Sequence, residues 1–359
     1  MKRFRVGVIG GTGMVGQRFV SLIANHPWLE LAEIAASSKS SGRPYAEVMD
    51  GRWRIECDMP ELAKNIIVKD ASDVKSVADN VDFVFSAVDM KHDEILALEE
   101  EYAKAECPVV SNNSAHRWTA DVPMIIPEVN PEQSEVIAFQ KKRLGTSKGF
   151  IAVKSNCSIQ SYVPALSCFR ETYGLSKILA CTYQAISGAG KNFETWPEMV
   201  DNVIPFIDGE EEKSEREPLK VWGSIKNGII VNAEKPVITT QCIRVPVLNG
   251  HMAAVFVSFD NKPQAEEIIK IWNEYEALPQ KLRLPSAPLH CIKYFDDPAR
   301  PQTRLDRMNE NGMQVSVGRL RPDSLFDYKF VCLSHNTVRG AAGGAVLLAE
   351  LLCKQNYIK

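Results

Sequence analysis

Phe4-Arg5-Val6-Gly7-Val8-Ile9-Gly10-Gly11-Thr12-Gly13-Met14-Val15-Gly16 is the stretch that decides the fold. An apolar-rich strand over Phe4–Ile9 runs into a G-x-x-G-x-x-G turn. Met14–Asn25 then carries Val15, Phe19, Leu22 and Ile23 at helical spacing. Glycines permit the tight turn and let the backbone approach a pyrophosphate, and a helix N-terminus offers free N–H groups and a positive dipole end to the phosphate charge. A glycine triplet also serves plain turns. Here it closes the first strand and opens the first helix, the context a dinucleotide site requires.

Working outward, Leu29–Ala36, Val81–Ala87 and Pro108–Ser111 read as further buried strands, with Asp93–Lys104 as a helix between the last two. Buried strands alternating with helices imply a parallel sheet covered on both faces. An NAD site usually ends its second strand with an acidic residue that bonds the ribose 2′-hydroxyl. This chain has Ala36-Ser37-Ser38-Lys39-Ser40-Ser41-Gly42-Arg43 there. Hydroxyls and cations in one loop suit a 2′-phosphate, so NADP is expected over NAD. A solvated serine-rich turn is the alternative reading. Segment 121–131, with three prolines, is expected to lead out of this unit.

The second half has another texture. Ile159–Tyr173 reads as a helix, followed by strands over Lys177–Ser187, Val237–Val247, Met252–Asp260, Gln314–Leu320 and Tyr328–Ser334, with one clear helix at Gln264–Tyr275. Closely spaced strands favour an antiparallel or mixed sheet. Asp208–Pro218 is highly charged and expected to be exposed, and Arg339–Cys353 reads as a final helix.

With 359 residues, 45% hydrophobic and 24% charged, the chain has the balance of a soluble globular protein with room for two domains. A net charge of −3 argues against a nucleic-acid partner. No apolar run is long enough to span a bilayer, and the glycine-broken N-terminal segment reads as a folded strand rather than a signal peptide, so a cytoplasmic protein is expected. Nine cysteines occur without C-x-x-C spacing, and no metal site is expected. Cys168, Cys181 and Cys332 lie in apolar runs and read as small buried hydrophobes.

Cys157 stands apart, within Lys154-Ser155-Asn156-Cys157-Ser158 and just before the helix expected from Ile159. At a helix N-terminus the dipole favours the thiolate, the form that attacks acyl carbons, and backbone N–H groups there bind a developing oxyanion. A thiol needs a proton partner. His251, in Arg244-Val245-Pro246-Val247-Leu248-Asn249-Gly250-His251, follows a short loop between strands and is placed to exchange protons. Arg244 is suited to grip a carboxylate. A loop histidine also serves as an ordinary surface residue.

Taken in order, several segments resemble the aspartate-semialdehyde dehydrogenase family in its archaeal and fungal branch. Besides the glycine turn they include Ser111-Asn112-Asn113-Ser114-Ala115-His116-Arg117, Pro127-Glu128-Val129-Asn130, Ser155-Asn156-Cys157-Ser158, Gln184-Ala185-Ile186-Ser187-Gly188-Ala189-Gly190, Glu210-Glu211-Glu212-Lys213, Arg244-Val245-Pro246-Val247, Gly250-His251 and Asn336-Thr337-Val338-Arg339-Gly340. The resemblance covers nearly the whole chain. It implies an α/β fold, with a Rossmann-type NADP-binding domain over 1–154 plus 335–359. Residues 155–334 would form an α+β catalytic and dimerisation domain of the glyceraldehyde-3-phosphate dehydrogenase-like type. By the same resemblance Cys157 is the nucleophile, His251 the acid/base, and Gln184 orients the acyl group. Arg244 binds the substrate carboxylate, and Arg117 and Lys213 receive phosphate with Asn113 and Glu210 nearby. Gly10, Thr12, Gly13, Met14, Val15 and Gly16 hold the pyrophosphate. Ser37, Lys39 and Ser40 take the 2′-phosphate, and Ser86, Ser187, Gly188 and Asn336 line the nicotinamide half.

The implied reaction is NADPH-dependent reduction of L-aspartyl 4-phosphate to L-aspartate 4-semialdehyde, in lysine, threonine, methionine and diaminopimelate biosynthesis, by a homodimer or homotetramer. Around the thiol the chain departs from the family pattern, with Ser155 where Pro is usual and Ile159 where Thr is usual. Gln160 is expected to add a polar contact in the acyl pocket. Archaeal malonyl-CoA reductases look similar, which leaves acyl-CoA as an alternative substrate. A non-catalytic NADP-sensing module is the alternative of another class.

Overall fold

The computed structural model describes residues 3–359. Its first sheet contains β1 (Phe4–Ile9), β2 (Leu29–Ala36), β3 (Lys69–Asp70), β4 (Phe83–Ser86), β5 (Val109–Ser111) and β6 (Ile151–Val153), in the order β3-β2-β1-β4-β5-β6. Every pairing is parallel. Strand order reverses between β1 and β4, and a crevice opens beyond their C-terminal ends, where open α/β sheets bind ligands. One face, with Val6, Val8, Phe83, Phe85 and Val110, packs against Phe19, Val20 and Ile23 of helix Met14–Ile23 and against Val346–Leu352 of the last helix, Gly343–Lys354. The opposite face, with Ile9, Val84, Val109 and Ile151, packs against Ile95, Leu98 and Tyr102 of helix His92–Lys104. The same hydrophobic core continues under the second sheet.

That second sheet is mixed. It is built from β7 (Leu175–Gln184), β10 (Val237–Arg244), β11 (His251–Phe259), β12 (Ile292–Phe295), β13 (Val315–Pro322) and β14 (Tyr328–Ser334), with β8 (Ser224–Lys226) and β9 (Ile229–Val231) forming a separate ribbon. The order is β10-β7-β11-β14-β13-β12. β10 runs parallel to β7 and β12 parallel to β13, whereas β7, β11, β14 and β13 are successively antiparallel. Alternation along the strands sends Ala180, Ala253, Val255 and Cys332 into the core. Leu179, Cys181, Tyr183, Ala254, Phe256 and Val331 stay half-buried on the other face.

Three expectations from the sequence need correction. Residues 157–162 form turns, and helix proper exists only over Val163–Ser167 and Arg170–Tyr173. Pro164 has no N–H to give the carbonyl four residues earlier, and it sits in the first turn of Val163–Ser167, where that missing bond costs nothing. The charged segment 208–218 is not a solvated run, because Glu210–Val221 is a helix that buries Glu210, Ser214 and Glu217 on one side. Periodicity searches look for apolar stripes, and here the buried stripe is polar. Segment 121–131 does not leave the first unit either. Ile125 N donates to Val153 O at 3.1 Å and Val153 N to Pro123 O at 2.9 Å, so the segment extends the sheet beside β6.

Candidate active site

Three neighbouring strands bring chemistry to one rim. β7 ends at Gln184, β10 ends at Arg244 directly opposite it, and β11 begins at His251, whose neighbour Met252 pairs with Tyr183. Gln184, Arg244 and His251 are all buried. From the other side, the chain leaving β6 of the first sheet delivers Cys157. The site therefore lies in the seam between the two sheets.

Cys157 Sγ lies 3.5 Å from His251 Nε2. His251 Nδ1 accepts the backbone N–H of Ala185 at 3.0 Å. An Nδ1 used as acceptor carries no proton, so the neutral ring holds its proton on Nε2, facing the sulfur. Burial, then Arg244, His335 and Lys154, pushes His251 well below the usual imidazole range. The ring is therefore a neutral donor toward Cys157. The resemblance gives His251 the acid/base role, and a neutral ring with its proton toward the sulfur is compatible with it. Gly188 comes close enough that a side chain there would stand 3.0 Å from Arg244 Nη1 and 3.1 Å from His251 Nε2.

The thiol has no helix N-terminus beneath it, since the first helical residue is Val163. Burial and Glu210 push Cys157 up to about 11, against the opposing pull of Lys154, Arg117 and Arg244. Gln160, expected in the acyl pocket, instead turns into the core and donates to Ser155 Oγ at 2.7 Å. Its amide does not line the cleft.

A polar cavity of about 300 Å³ opens over the sulfur. It is lined by Cys157, Asn113, Arg117, Glu210, Lys213, Val15, Ser187, Gly188 and Asn336 from the expected set. Asn112, Ser114, Asn156, Thr337, Gly340 and Ala341 line it as well. Arg117 pairs with Glu217 at 2.9 Å and also donates to Lys154 O at 3.1 Å. Lys213 meets Glu210 at 3.1 Å, and Glu210 accepts from Asn156 Nδ2 at 3.0 Å and Gln184 Nε2 at 3.2 Å. Asn113 gives its amide protons to Ser86 Oγ and Glu99 Oε1, both at 3.0 Å, so it braces the loop and has no amide proton left for an anion. Asn336 Nδ2 donates to Ser187 Oγ at 2.8 Å while its Oδ1 accepts from Gly250 N at 2.8 Å, which ties three segments of the rim together. Glu217 and Asn156 had no assigned role in the sequence reading. Their signal was the i, i+7 spacing of Glu210 and Glu217 on one helix face and the adjacency of Asn156 to the thiol.

A second cavity, about 460 Å³, occupies the crevice beyond β1 and β4 and is lined by Gly10, Thr12, Gly13, Ser37, Ser38, Arg52, Asp70 and Asp89, among others. Gly10 has φ +83°, and a side chain on it would fall 2.2 Å from Ala87 O; one on Gly16 would fall 2.2 Å from Gly10 O. The turn thus keeps its backbone bare at the place where a pyrophosphate binds, which fits a dinucleotide. Met14 begins the helix directly after Gly13 of the cavity lining, and Val15 of its first turn lines the cavity over the thiol instead. At the far end Ser37 lines the cavity, whereas Lys39 is exposed beside it and Ser40 is buried in the turn. Arg52, absent from the sequence reading, supplies a cation there, and Gln17 holds its loop by accepting Arg54 N at 2.7 Å and donating to Arg52 O at 3.2 Å. Among the described residues no group of three or more metal-ligating side chains assembles, and no helix is long and apolar enough to cross a membrane.

Comparison with known proteins places this geometry. Residues 5–137 match the family described as semialdehyde dehydrogenase, NAD binding domain, and residues 166–339 match semialdehyde dehydrogenase, dimerisation domain. A protein of Methanothermobacter thermautotrophicus named aspartate-semialdehyde dehydrogenase is 42% identical, covering 97% of this chain and 98% of its own. One of Aspergillus fumigatus with the same name is 41% identical, covering 99% and 98%. The crystal structure of aspartate semialdehyde dehydrogenase with NADP from Candida albicans superposes with a TM-score of 0.89 at 37% identity, covering 99% of this chain and 100% of that one. With the glycine turn, the seam thiol and the mixed sheet all in place, the chain belongs to the aspartate-semialdehyde dehydrogenase family.

Proposed function

We propose that the seam reduces L-aspartyl 4-phosphate to L-aspartate 4-semialdehyde and phosphate with NADPH. The observation that carries this reading is the Cys157 sulfur, 3.5 Å from a buried imidazole and on the floor of a cavity walled by Arg117 and Lys213. The substrate carboxylate meets Arg244, whose guanidinium sits behind Gly188. Glu210, the carboxylate in the cavity lining, suits the substrate ammonium. The phosphate lies toward Arg117 and Lys213.

Cys157 attacks the acyl carbon as the thiolate, its proton having passed to solvent, the C–O bond to phosphate breaks with its electron pair leaving on phosphate, and a thioester remains. Bound NADPH supplies a hydride to the thioester carbon. His251 Nε2–H hydrogen-bonds the carbonyl oxygen as it becomes an oxyanion. When the adduct collapses, the C=O bond reforms, the C–S bond breaks with its pair on sulfur, and Nε2–H stabilises the departing thiolate.

The nucleotide unit is assigned to 1–154 with 335–359, supported by the packing of the last helix on the first sheet, and the catalytic unit to 155–334. Thr12 and Gly13 face the pyrophosphate, Ser37 and Arg52 the 2′-phosphate, with Lys39 in reach from its exposed position, and Ser86, Ser187 and Asn336 the nicotinamide half. The half-buried face of the second sheet is proposed as the surface on which two copies pair.

Replacing Cys157 with Ser should abolish phosphate-dependent NADP reduction with aspartate semialdehyde while NADPH still binds with unchanged affinity. Retained turnover in that variant would remove the reading. CoA in place of phosphate should give no reduction, and equal rates with CoA would favour the acyl-CoA alternative.

A further inference from the structure

Asn249 stands two residues before His251, in the loop that joins β10 to β11, and only 4% of it is exposed. A buried amide needs an acceptor inside the protein. Among the described residues that acceptor is Glu56 Oε1, at 2.8 Å and 193 positions away in the chain. Glu56 lies on the nucleotide side of the seam, in the loop that also carries Arg52. Neither Glu56 nor Asn249 has a part in the chemistry above.

One face of helix Met14–Ile23 fixes the loop bearing Glu56. Gln17 donates to Thr12 O at 3.1 Å and to Arg52 O at 3.2 Å, and it accepts Arg54 N at 2.7 Å. Arg18 donates to Glu56 Oε2 at 2.6 Å, and Ser21 Oγ meets Cys57 Sγ at 3.1 Å. Ile55, between these attachments, is buried. One short segment thus runs from the glycine turn, along the nucleotide cavity that Arg52 lines, to the loop that precedes His251.

The backbone of that loop is held from the opposite side. Gly250 N donates to Asn336 Oδ1 at 2.8 Å, and Arg307 Nη1 donates to Asn249 O at 3.3 Å. Gly250 has φ +102°, and a side chain on it would stand 3.3 Å from Leu333 Cδ1 and 3.4 Å from Thr303 Cβ, so the turn into β11 is closely walled. Glu56 supplies the remaining hold, on the Asn249 side chain. The Glu56 side chain is 57% exposed, so its ion pair with Arg18 adds little to stability. What its removal takes away is the acceptor of a buried amide beside the imidazole.

We propose that Glu56 is a positioning residue for His251: by accepting the buried Asn249 amide it sets the turn that aims Nε2–H at Cys157, and it does so from the loop that walls the nucleotide cavity. This rests on Cys157 and His251 acting as described under the proposed function. His251 Nε2 lies 3.5 Å from Cys157 Sγ. A displacement of about 1 Å at such a group costs on the order of a hundredfold in rate.

The test is phosphate-dependent NADP reduction with aspartate semialdehyde by full-length variants. Glu56→Ala should lower kcat about tenfold or more, with NADPH affinity and the KM for semialdehyde within about twofold of the parent. Glu56→Gln keeps an acceptor for Asn249 without the ion pair to Arg18, and it should recover most of that loss. Asn249→Ala should match Glu56→Ala, and combining the two should lower kcat no further than either alone. In Glu56→Ala, hydrogen exchange at the Gly250 amide should quicken about tenfold, a readout that needs no turnover. A kcat within about twofold of the parent, a Gln variant as slow as the Ala variant, or additive losses in the combined variant each overturns the proposal. So does a loss of NADPH affinity as large as the loss of kcat, or unchanged exchange at Gly250. Turnover by Cys157→Ser, or a parent protein that does not reduce NADP with semialdehyde and phosphate, would instead defeat the reading of the site, and Gly250 exchange would then still decide whether Glu56 holds the His251 loop.

Discussion

At the scale of single residues, the site depends on where side chains are absent. A methyl group on Gly16 would stand 2.2 Å from Gly10 O and 2.7 Å from Gly11 Cα, both backbone atoms that cannot swing away. On Gly13 the nearest atom is 3.6 Å distant. Gly16→Ala should therefore destabilise the fold by about 1–3 kcal/mol and weaken NADPH binding, whereas Gly13→Ala should melt like the parent. Thermal melts and NADPH fluorescence titrations check this pair, and equal melting of the two variants would contradict the packing argument. The glycines were legible from their spacing alone. Arg52 was not, because it enters the nucleotide cavity from a loop fifteen positions beyond Ser37, and nothing local marks that approach.

Among the elements, helix Glu210–Val221 matters most. Its inward face is polar: Glu210 holds Asn156 and Gln184, Ser214 meets Ser158 at 3.1 Å, and Glu217 ties Arg117 to the backbone of Asn156. One helix thus sets the loop bearing Cys157, the end of β7 and Arg117. Removing one partner of a buried ion pair leaves the other charge uncompensated. Glu217→Ala should cost about 3–5 kcal/mol in denaturant unfolding, with loss of turnover beyond the loss of folded protein. A cost below about 1 kcal/mol would mean that Arg117 finds water instead. The central strands of both sheets were readable because a buried strand shows as an apolar run, whereas the edge strands β3 and β12 were not read from the sequence. This helix was hidden because its buried stripe consists of carboxylates and a hydroxyl, residues whose ordinary place is the surface. Pro164 was visible as a first-turn residue, but the Ile159–Tyr173 reading carried the apolar pattern straight through it.

For the whole molecule, the two sheets share a hydrophobic core, and the last helix closes the first sheet with residues that are almost all buried. Arg339 and Glu128, both about 1% exposed, pair at 2.9 Å and join the end of the chain to its first half. The outward face of the second sheet has no comparable cover. Ala254, at its centre between Cys181 and Val331, is half-buried in the single chain. Ala254→Glu should lower the sedimentation mass to that of one chain if two copies pair there, and an unchanged mass would place the interface elsewhere. The sequence by itself determined the strand–helix alternation and the glycine turn, because burial period and turn chemistry are local properties. Only the tertiary structure decided which way the His251 imidazole proton points. That depends on the Ala185 N–H behind His251, a contact between segments far apart in the chain whose distance no local pattern encodes.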